Sequence, residues 1–424
     1  MKTTQRRLLV ALAALLLIAA VWAGLAALRP LPDRTFTLAT GPVGSAYEAY
    51  GRRYQALLAR SGVEVKLVAT AGTYENVEKM LDPKAGVSAG FIQAGSVTED
   101  GAPGLLSLGT MFYEPLWVFC RCEPDDLDFH ERLGRRVSIG PDGGATRALV
   151  LRIFKMNGID PARFELLGYA PEKAADELIA GRIDAAIIDT AWESPAVQKL
   201  MADRSIHLVG YPRADAYVAL MPFLSKVVLP EGVASLAENR PPKDVVLIAP
   251  KASLAVREDL HPALQYLLID AAQRIHGGPG VFNAAGTFPA PEMIDLPLSA
   301  EAQHMYRSGP SFLRRHLPFW LAELGQRLLL VVIPLVGLIY PVTKLVPEAW
   351  RWEMGRRLQR AYRDLRSIER GLIDTAPGPE RAEWHARLDE LEARVQALRL
   401  PDSYAAPAYE LKQNIRFVQE RHSR

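Results

Sequence analysis

The chain has 424 residues, a formal net charge of +2 at pH 7 and 49% hydrophobic residues. This length is enough for two or three domains. The near-neutral charge, with no basic stripe interleaved with aromatic residues, excludes a nucleic-acid partner from the expected functions.

The first predicted element is a membrane anchor in residues 1–30. Residues 8–28 are apolar and follow three basic residues, and their number is about what a bilayer span needs. A cleaved signal peptide is the alternative, but the apolar stretch is long for one and no clean small-x-small cleavage site precedes Arg29. The sequence therefore predicts a retained signal-anchor.

A second transmembrane helix is predicted over residues 324–346. Residues 328–346 contain Lys344 as their single charge and two prolines, which suits a span better than the alternative, a buried core helix. Six arginines follow between 351 and 366. This basic excess predicts that both termini are cytoplasmic and that the middle of the chain lies outside a bacterial inner membrane, facing the periplasm or the cell exterior.

Between these runs, residues 31–323 alternate strand and helix patterns. Strands are predicted at 36–39, 63–69, 87–93, 105–111, 136–140, 184–189 and 245–249, and helices at 46–58, 75–81, 145–157, 171–180, 194–203 and 260–275. Such alternation is typical of βαβ units with largely parallel sheets. The pattern is doubled and then returns, which predicts an α/β fold with two lobes, lobe 1 at about 31–113 and 220–290 and lobe 2 at about 114–219. The ligand site is expected in the cleft between the lobes.

The tail, residues 347–424, has apolar residues at helical spacing on both sides of a break at 375–379. It predicts a C-terminal α-helical hairpin that ends at Pro401. A solvated spacer and a signalling module are both compatible with this pattern.

Cys120 and Cys122 lie two residues apart. Residues at this spacing on one strand rarely reach disulfide geometry, so both are expected to serve packing. No histidine lies nearby at ligand spacing, so no metal or cofactor is predicted.

Two glycine-rich turns, at 41–46 and 140–146, each follow a predicted strand and open a predicted helix. Such a turn directs free backbone N–H groups and the positive end of the helix dipole toward one place, which suits a carboxylate or phosphate. An ordinary βα turn is the alternative for each one alone.

The order and spacing of five segments resemble the TAXI-type solute-binding proteins of TRAP (tripartite ATP-independent periplasmic) transporters. The segments are Ala39-Thr-Gly-Pro-Val-Gly-Ser-Ala-Tyr47, Thr70-Ala-Gly-Thr-Tyr-Glu-Asn-Val77, Gly90-Phe-Ile-Gln93, Val137-Ser-Ile-Gly-Pro-Asp-Gly-Gly-Ala-Thr146 and Gly181-Arg-Ile-Asp-Ala185. The resemblance implies a type II periplasmic-binding-protein-like fold, ligand capture by lobe closure, and a small organic anion such as glutamate or a dicarboxylate. The sequence departs from the family pattern after Gln93, where Ala94 and Gly95 stand in place of the usual acidic residues. The second predicted span and the tail lie outside the family pattern.

The candidate ligand-binding residues come from the matched segments and the strand ends beside them. They are Gly44, Ser45, Tyr47, Thr73, Asn76, Gln93, Gly143, Thr146, Arg147, Thr190 and Trp192. Arg147 is a candidate for a bidentate carboxylate contact or an exposed first-turn arginine. Trp192 is either cleft floor or core. Asp189 either binds a ligand amine or caps the following helix.

The sequence thus predicts an extracytoplasmic solute receptor that works with TRAP-type permease subunits in the membrane. The alternative is a membrane-tethered sensor that signals through the tail, and a scaffold role without ligand is third. An enzyme is not expected, because no nucleophile–base set or nucleotide-binding loop is found in the sequence.

Overall fold

The computed structural model describes residues 22, 31–122, 133–292, 294–376, 378–397 and 404–422, with the backbone alone for several residues between 327 and 351. The described chain forms two compact units, one of residues 31–323 and the other of the described residues from 324 onward. The predicted anchor in 1–30 lies outside the described residues, apart from Trp22.

The unit of residues 31–323 contains every described strand. The strands are β1 (Thr35–Ala39), β2 (Glu64–Val68), β3 (Ala89–Gln93), β4 (Leu105–Tyr113), β5 (Leu116–Cys120), β6 (Arg136–Ser138), β7 (Glu165–Leu167), β8 (Ala185–Asp189), β9 (His207–Val209), β10 (Ser225–Leu229), β11 (Val245–Ala249) and β12 (Lys251–Arg257). Its helices are α1 (Ala46–Ala59), α2 (Thr73–Leu81), α3 (Ala145–Met156), α4 (Pro171–Ile179), α5 (Pro195–Ala202), α6 (Ala214–Leu220), α7 (Pro262–His276), α8 (Ala300–Ser308) and α9 (Phe312–His316).

Two five-stranded sheets form the cores of two lobes, as the sequence predicted. Their orders are β2-β1-β3-β12-β4 and β7-β6-β8-β5-β9. In each sheet four strands run the same way and one is antiparallel, β12 in the first lobe and β5 in the second. Both antiparallel strands directly follow a crossing from one lobe to the other.

The boundary between the lobes differs from the prediction. Residues 220–249 were assigned to lobe 1, but the β10–β11 hairpin packs in the core of lobe 2 through Val227, Leu229 and Leu247. The chain returns to lobe 1 at β12, and that lobe then extends past residue 290, because Ala302 and Met305 of α8 are buried in its core. The sequence pattern identified the strand at 245–249 but not its partner, so the hairpin was missed.

Two short segments connect the lobes, at Glu114–Pro115 and at Pro250. The backbone N–H of Glu114 donates to the carbonyl oxygen of Pro250 across 2.9 Å. The two crossings are therefore bonded to each other, which makes this pair of segments the hinge of the unit.

Cys120 and Cys122 form a disulfide at the end of β5, which contradicts the packing prediction. The strand ends at Cys120, and the turn after it brings the two Cα atoms to 5.3 Å, a usual separation for a disulfide. The sequence argument failed because it assumed that both cysteines lie on one extended strand.

The other unit is helical. It contains most of α10 (Phe319–Asp374), together with α11 (Pro379–Ala397) and α12 (Ala405–His422). The predicted hairpin of two helices is incomplete, because a third helix, α12, joins it. Leu411, Ile415 and Val418 of α12 are buried against the apolar residues of α10 and α11. The predicted span 324–346 lies inside α10, whose helix continues without a break to Asp374. Among the residues whose side chains the structure describes, which leaves out most of 327–351, no helix has a stretch that is both long and apolar enough to cross a membrane.

Candidate functional site

Both glycine-rich turns line one cavity between the lobes. Pro42, Ser45 and Ala46 contribute from lobe 1, and Gly140 and Gly144 contribute from lobe 2. The cavity has a volume of about 60 Å³ and is partly open to solvent. An added Cβ on Gly72 would lie 3.9 Å from the Cα of Gly144, so the loops of the two lobes almost touch at its rim. The cavity therefore suits a small molecule held from both sides.

Four helices begin at this cavity, α1, α2, α3 and α4. Ser45 caps α1 by accepting a hydrogen bond from the N–H of Glu48 across 3.3 Å. No side chain caps α2, α3 or α4, whose N-cap residues are Gly72, Gly144 and Ala170. Free N–H groups and helix dipoles at the wall of the cavity stabilise a negative charge placed there.

Two acidic residues, Glu114 and Asp189, are among those that line the cavity. Strand β5 pairs with β8 in antiparallel register, with Leu116 opposite Asp189. Residues just before β5 therefore lie at the same end of the sheet as the last residue of β8. This register brings the hinge residue Glu114 and the strand-end residue Asp189 into one cavity wall.

These carboxyl groups are strongly perturbed. Glu114 is 4% exposed, and the hydroxyl of Tyr47 donates to its Oε2 across 2.8 Å. Burial raises the pKa of Glu114 to about 8, and the hydrogen bond from Tyr47 lowers it only in part. Burial, and then the nearby carboxyl of Glu114, raise the pKa of Asp189 well above its usual range. Without a ligand, the pair therefore holds protons that exposed carboxyl groups would have lost at neutral pH.

The pair predicts a pH dependence of stability. The pKa of Glu114 is higher in the folded state than its ordinary value of 4.5. Its stabilising contribution is therefore complete below about pH 4.5 and is lost as the pH rises through about 8. We expect the free energy of unfolding to fall over this window, by up to about 1.4 kcal/mol per pH unit for one such group. Chemical denaturation of the ligand-free protein at several pH values measures this slope.

Glu114→Gln is the control for that slope, because glutamine keeps the shape and does not titrate. The variant's stability is expected to change less with pH than that of the wild type. Parallel curves for the two proteins would contradict the assignment.

Six of the predicted site residues line the cavity. Ser45, Tyr47, Thr73 and Gln93 come from lobe 1, and Thr146 and Thr190 come from lobe 2. Thr190 is held in place because its carbonyl oxygen accepts a hydrogen bond from Trp117 Nε1 across 2.8 Å.

The other five predicted residues do not line it. Asn76 is fully buried. Its amide nitrogen donates to the carbonyl oxygens of Thr40 and Phe91, and its amide oxygen accepts from the hydroxyl of Thr70. The N–H of Gly44 donates to the carboxylate of Glu48. Gly143 is also absent from the lining. Arg147 pairs with Asp142 across 3.0 Å, and Trp192 packs on the core of lobe 2.

No sequence motif marks Glu114, and the sequence pattern leaves two roles open for Asp189. Glu114 is the only charged residue between Leu105 and Cys120, a run that otherwise fills two buried strands. A lone acid in such a run, next to a proline, is the sequence signal by which Glu114 can be recognised. The lining also includes Tyr169 and Ile187, which no motif marked.

The lobes are in contact around the cavity. The hydroxyl of Tyr50 in lobe 1 donates to Glu193 of lobe 2 across 3.3 Å. Gly95 of lobe 1 lies under the ring of Phe223, and Gly44 lies against Glu172. The structure is therefore a closed arrangement of the two lobes. Within the described residues, no cluster of His, Cys, Asp or Glu is arranged to hold a metal ion.

A model of the NMT1-like family matches residues 38–273, which is more than half of the chain. The chain belongs to the NMT1-like family. The match runs from β1 into α7 and includes every residue that lines the cavity. No curated protein sequence matches this NMT1-like chain.

Three solved structures illustrate how distant the structural similarities are. The effector-binding domain of a BenM variant is 14% identical, with a TM-score of 0.39, over 57% of this chain and 94% of that one. A periplasmic substrate-binding protein of an ABC transporter from Coxiella burnetii is 14% identical, with a TM-score of 0.33, over 58% and 93%. The aliphatic sulphonate binding protein SsuA from Escherichia coli is 15% identical, with a TM-score of 0.31, over 42% and 60%. The assignment of the chain rests on the family match.

Proposed function

We propose that the protein is an extracytoplasmic solute receptor that captures a small organic anion between its lobes and delivers it to a membrane transporter. The observation that supports this most is the pair of glycine-rich turns, one from each lobe, on opposite sides of one cavity. Each turn opens a helix, so closure surrounds an anion with backbone donors from both lobes. In this proposal the protein binds its solute and does not transform it.

The finer parts of the proposal rest on the sequence. They are membership of the TAXI type, TRAP-type permease subunits as partners, and anchoring in a bacterial inner membrane by segments 1–30 and 324–346. A receptor anchored in this way cannot diffuse, so its permease must be a neighbour in the same membrane.

Thermal unfolding in the presence of single solutes tests the receptor function. A ligand that binds only the folded protein raises the melting temperature by mass action. We expect one or more amino acids or dicarboxylates to give a clear rise at millimolar concentration. The double variant Ser45→Ala, Tyr47→Ala is expected to abolish the rise, because it removes the α1 cap and one wall of the cavity.

The variant must still unfold cooperatively for that result to count. An undiminished rise in the double variant would move the binding site elsewhere. Glu78→Ala, an exposed change on α2, is the matched control and is expected to leave the rise unchanged.

A second candidate function is a sensor that reports binding through the C-terminal helices. The observation that favours it is the attachment of the first turn of α10 to lobe 1, where Trp320 Nε1 donates to the carbonyl oxygen of Ser61 across 2.8 Å. Arg314 also bonds Glu323 of this turn and Glu301 of α8. Removal of residues 347–424 distinguishes the two functions: transport predicts that solute uptake survives the deletion, and sensing predicts that binding survives while the cellular response is lost.

A further inference from the structure

We propose that the solute carries a protonated amine beside its anionic group, and that Glu114 and Asp189 bind this amine. This inference rests on the proposed receptor function and specifies the class of solute. It favours amino acids over the dicarboxylates that the sequence resemblance also allowed.

The first argument is the state of Asp189. Both of its carboxylate oxygens are buried, and neither has a hydrogen-bond partner among the described residues. Buried polar groups are almost always paired, and an unpaired buried carboxylate is among the most costly groups in a protein. The cavity that Asp189 lines is where a partner can come from.

The second argument is the composition of the lining. Glu114 and Asp189 both contribute to it, and none of the described residues that line the cavity is a lysine, arginine or histidine. The nearby Arg147 is occupied by Asp142 and does not line the cavity. Once ionised, the two acids therefore have no protein cation at the cavity to neutralise them, and a second carboxylate of a ligand placed against the ionised pair would be repelled. An ammonium group would supply the missing charge and up to three hydrogen-bond donors.

The cavity as a whole offers two kinds of polar group. The N-termini of α2 and α3 provide uncapped backbone donors, and Glu114 and Asp189 also line the cavity. A ligand with an anionic and a cationic end satisfies both, the anion at the helix N-termini and the amine at the two acids. A dianion satisfies only the first.

Binding of such a solute is expected to release protons. The groups that face the acid pair from neighbouring elements are Tyr47 and Tyr50 on α1 and Tyr211 after β9, together with Glu193, which is bonded to Tyr50. Burial is the main cause that raises the pKa of each of these three tyrosines, so they stay neutral while the acids titrate. An ammonium binds the ionised acids, so affinity rises with pH up to about 8, where the pKa of Glu114 lies.

Matched solutes test the proposal on the full-length protein. Titration calorimetry compares L-glutamate with glutarate and L-alanine with propionate, each pair differing by the amine alone. We expect the amino acid of a pair to bind about 30-fold tighter or more, since leaving a buried charge unpaired is costly. Its affinity is expected to increase from pH 5.5 to pH 8, with protons released to the buffer.

Two isosteric variants locate the amine. Asp189→Asn and Glu114→Gln are each expected to weaken binding of the amino acid by about 30-fold or more. The difference in affinity between the amino acid and the amine-free acid should become smaller or change sign. Asp215→Asn removes an exposed carboxylate of lobe 2 that pairs with Lys226, and is expected to change neither affinity. Circular dichroism confirms that each variant is folded.

Each outcome is decisive. If the amine-free acid binds as tightly as the amino acid, or if Asp189→Asn leaves amino-acid affinity unchanged, the proposed amine site is wrong and the receptor function stands. If none of the four probes, and no other amino acid or dicarboxylate, binds the wild-type protein at either pH, the receptor function fails together with it.

Discussion

Replacing Asn76 by alanine is expected to lower the free energy of unfolding by about 3 kcal/mol, at roughly 1 kcal/mol for each hydrogen bond lost. The side chain of Asn76 is fully buried and donates to the carbonyl oxygens of Thr40 at 2.5 Å and Phe91 at 2.8 Å. It also accepts from the hydroxyl of Thr70 at 2.6 Å. These partners follow β1, lie in β3 and follow β2, so one side chain joins the ends of three strands beside the cavity. Urea denaturation measures the loss.

Glu78→Ala on the same helix is the control, because Glu78 is exposed and the change should alter stability by less than about 0.5 kcal/mol. A similar small effect for Asn76→Ala would show that the buried carbonyl groups find other partners.

Replacing Gly95 by alanine is expected to weaken solute binding by about tenfold or more. In the closed arrangement an added Cβ would lie 2.5 Å from the ring of Phe223 in the other lobe, which is far below van der Waals contact. The clash exists only when the lobes are closed, so the variant should fold and still fail to close around its solute. Titration calorimetry with the solute that gives the largest thermal shift measures the effect.

Two further variants separate this clash from backbone strain. Gly86, like Gly95, has a positive φ, but an added Cβ there meets nothing within 4 Å. Gly86→Ala should therefore share the strain, about 1–2 kcal/mol, and retain binding. Phe223→Ala combined with Gly95→Ala should restore much of the affinity. Equal binding losses in the Gly86 and Gly95 variants would mean that strain, not closure, is responsible.

Periodicity and turn residues predicted much of the fold. The βα alternation and the two glycine-rich turns depend on neighbours in sequence, and each predicted strand and helix of the unit 31–323 has a counterpart in the structure. What was missed depends on distant pairing. Strands β5 and β12 each follow directly on the strand before the hinge, so each apolar stretch looks like one long strand in the sequence. Only the antiparallel pairing with strands of the other lobe shows that β5 and β12 are separate strands.

The candidate site divides along the same line. Ser45, Thr73 and Thr146 line the cavity, and they could be proposed from the sequence because a turn that opens a helix is a pattern of a few neighbouring residues. Glu114 reaches the cavity through the register between β5 and β8, which joins residues 65 to 73 positions apart and leaves no local pattern. Asn76 is buried and does not line the cavity. A motif identifies a polar residue but not the direction of its side chain.

The position of Glu114 at the hinge has a consequence for the order of events during capture. In the proposed capture the lobes rotate about this hinge, and a point near the rotation axis moves least, so the acid pair would keep its shape while the helix N-termini move inward. A solute entering the open form would thus meet its amine subsite already assembled, and the anionic end would be engaged last. Association should then be controlled by the acid pair, and residence time by the helix N-termini.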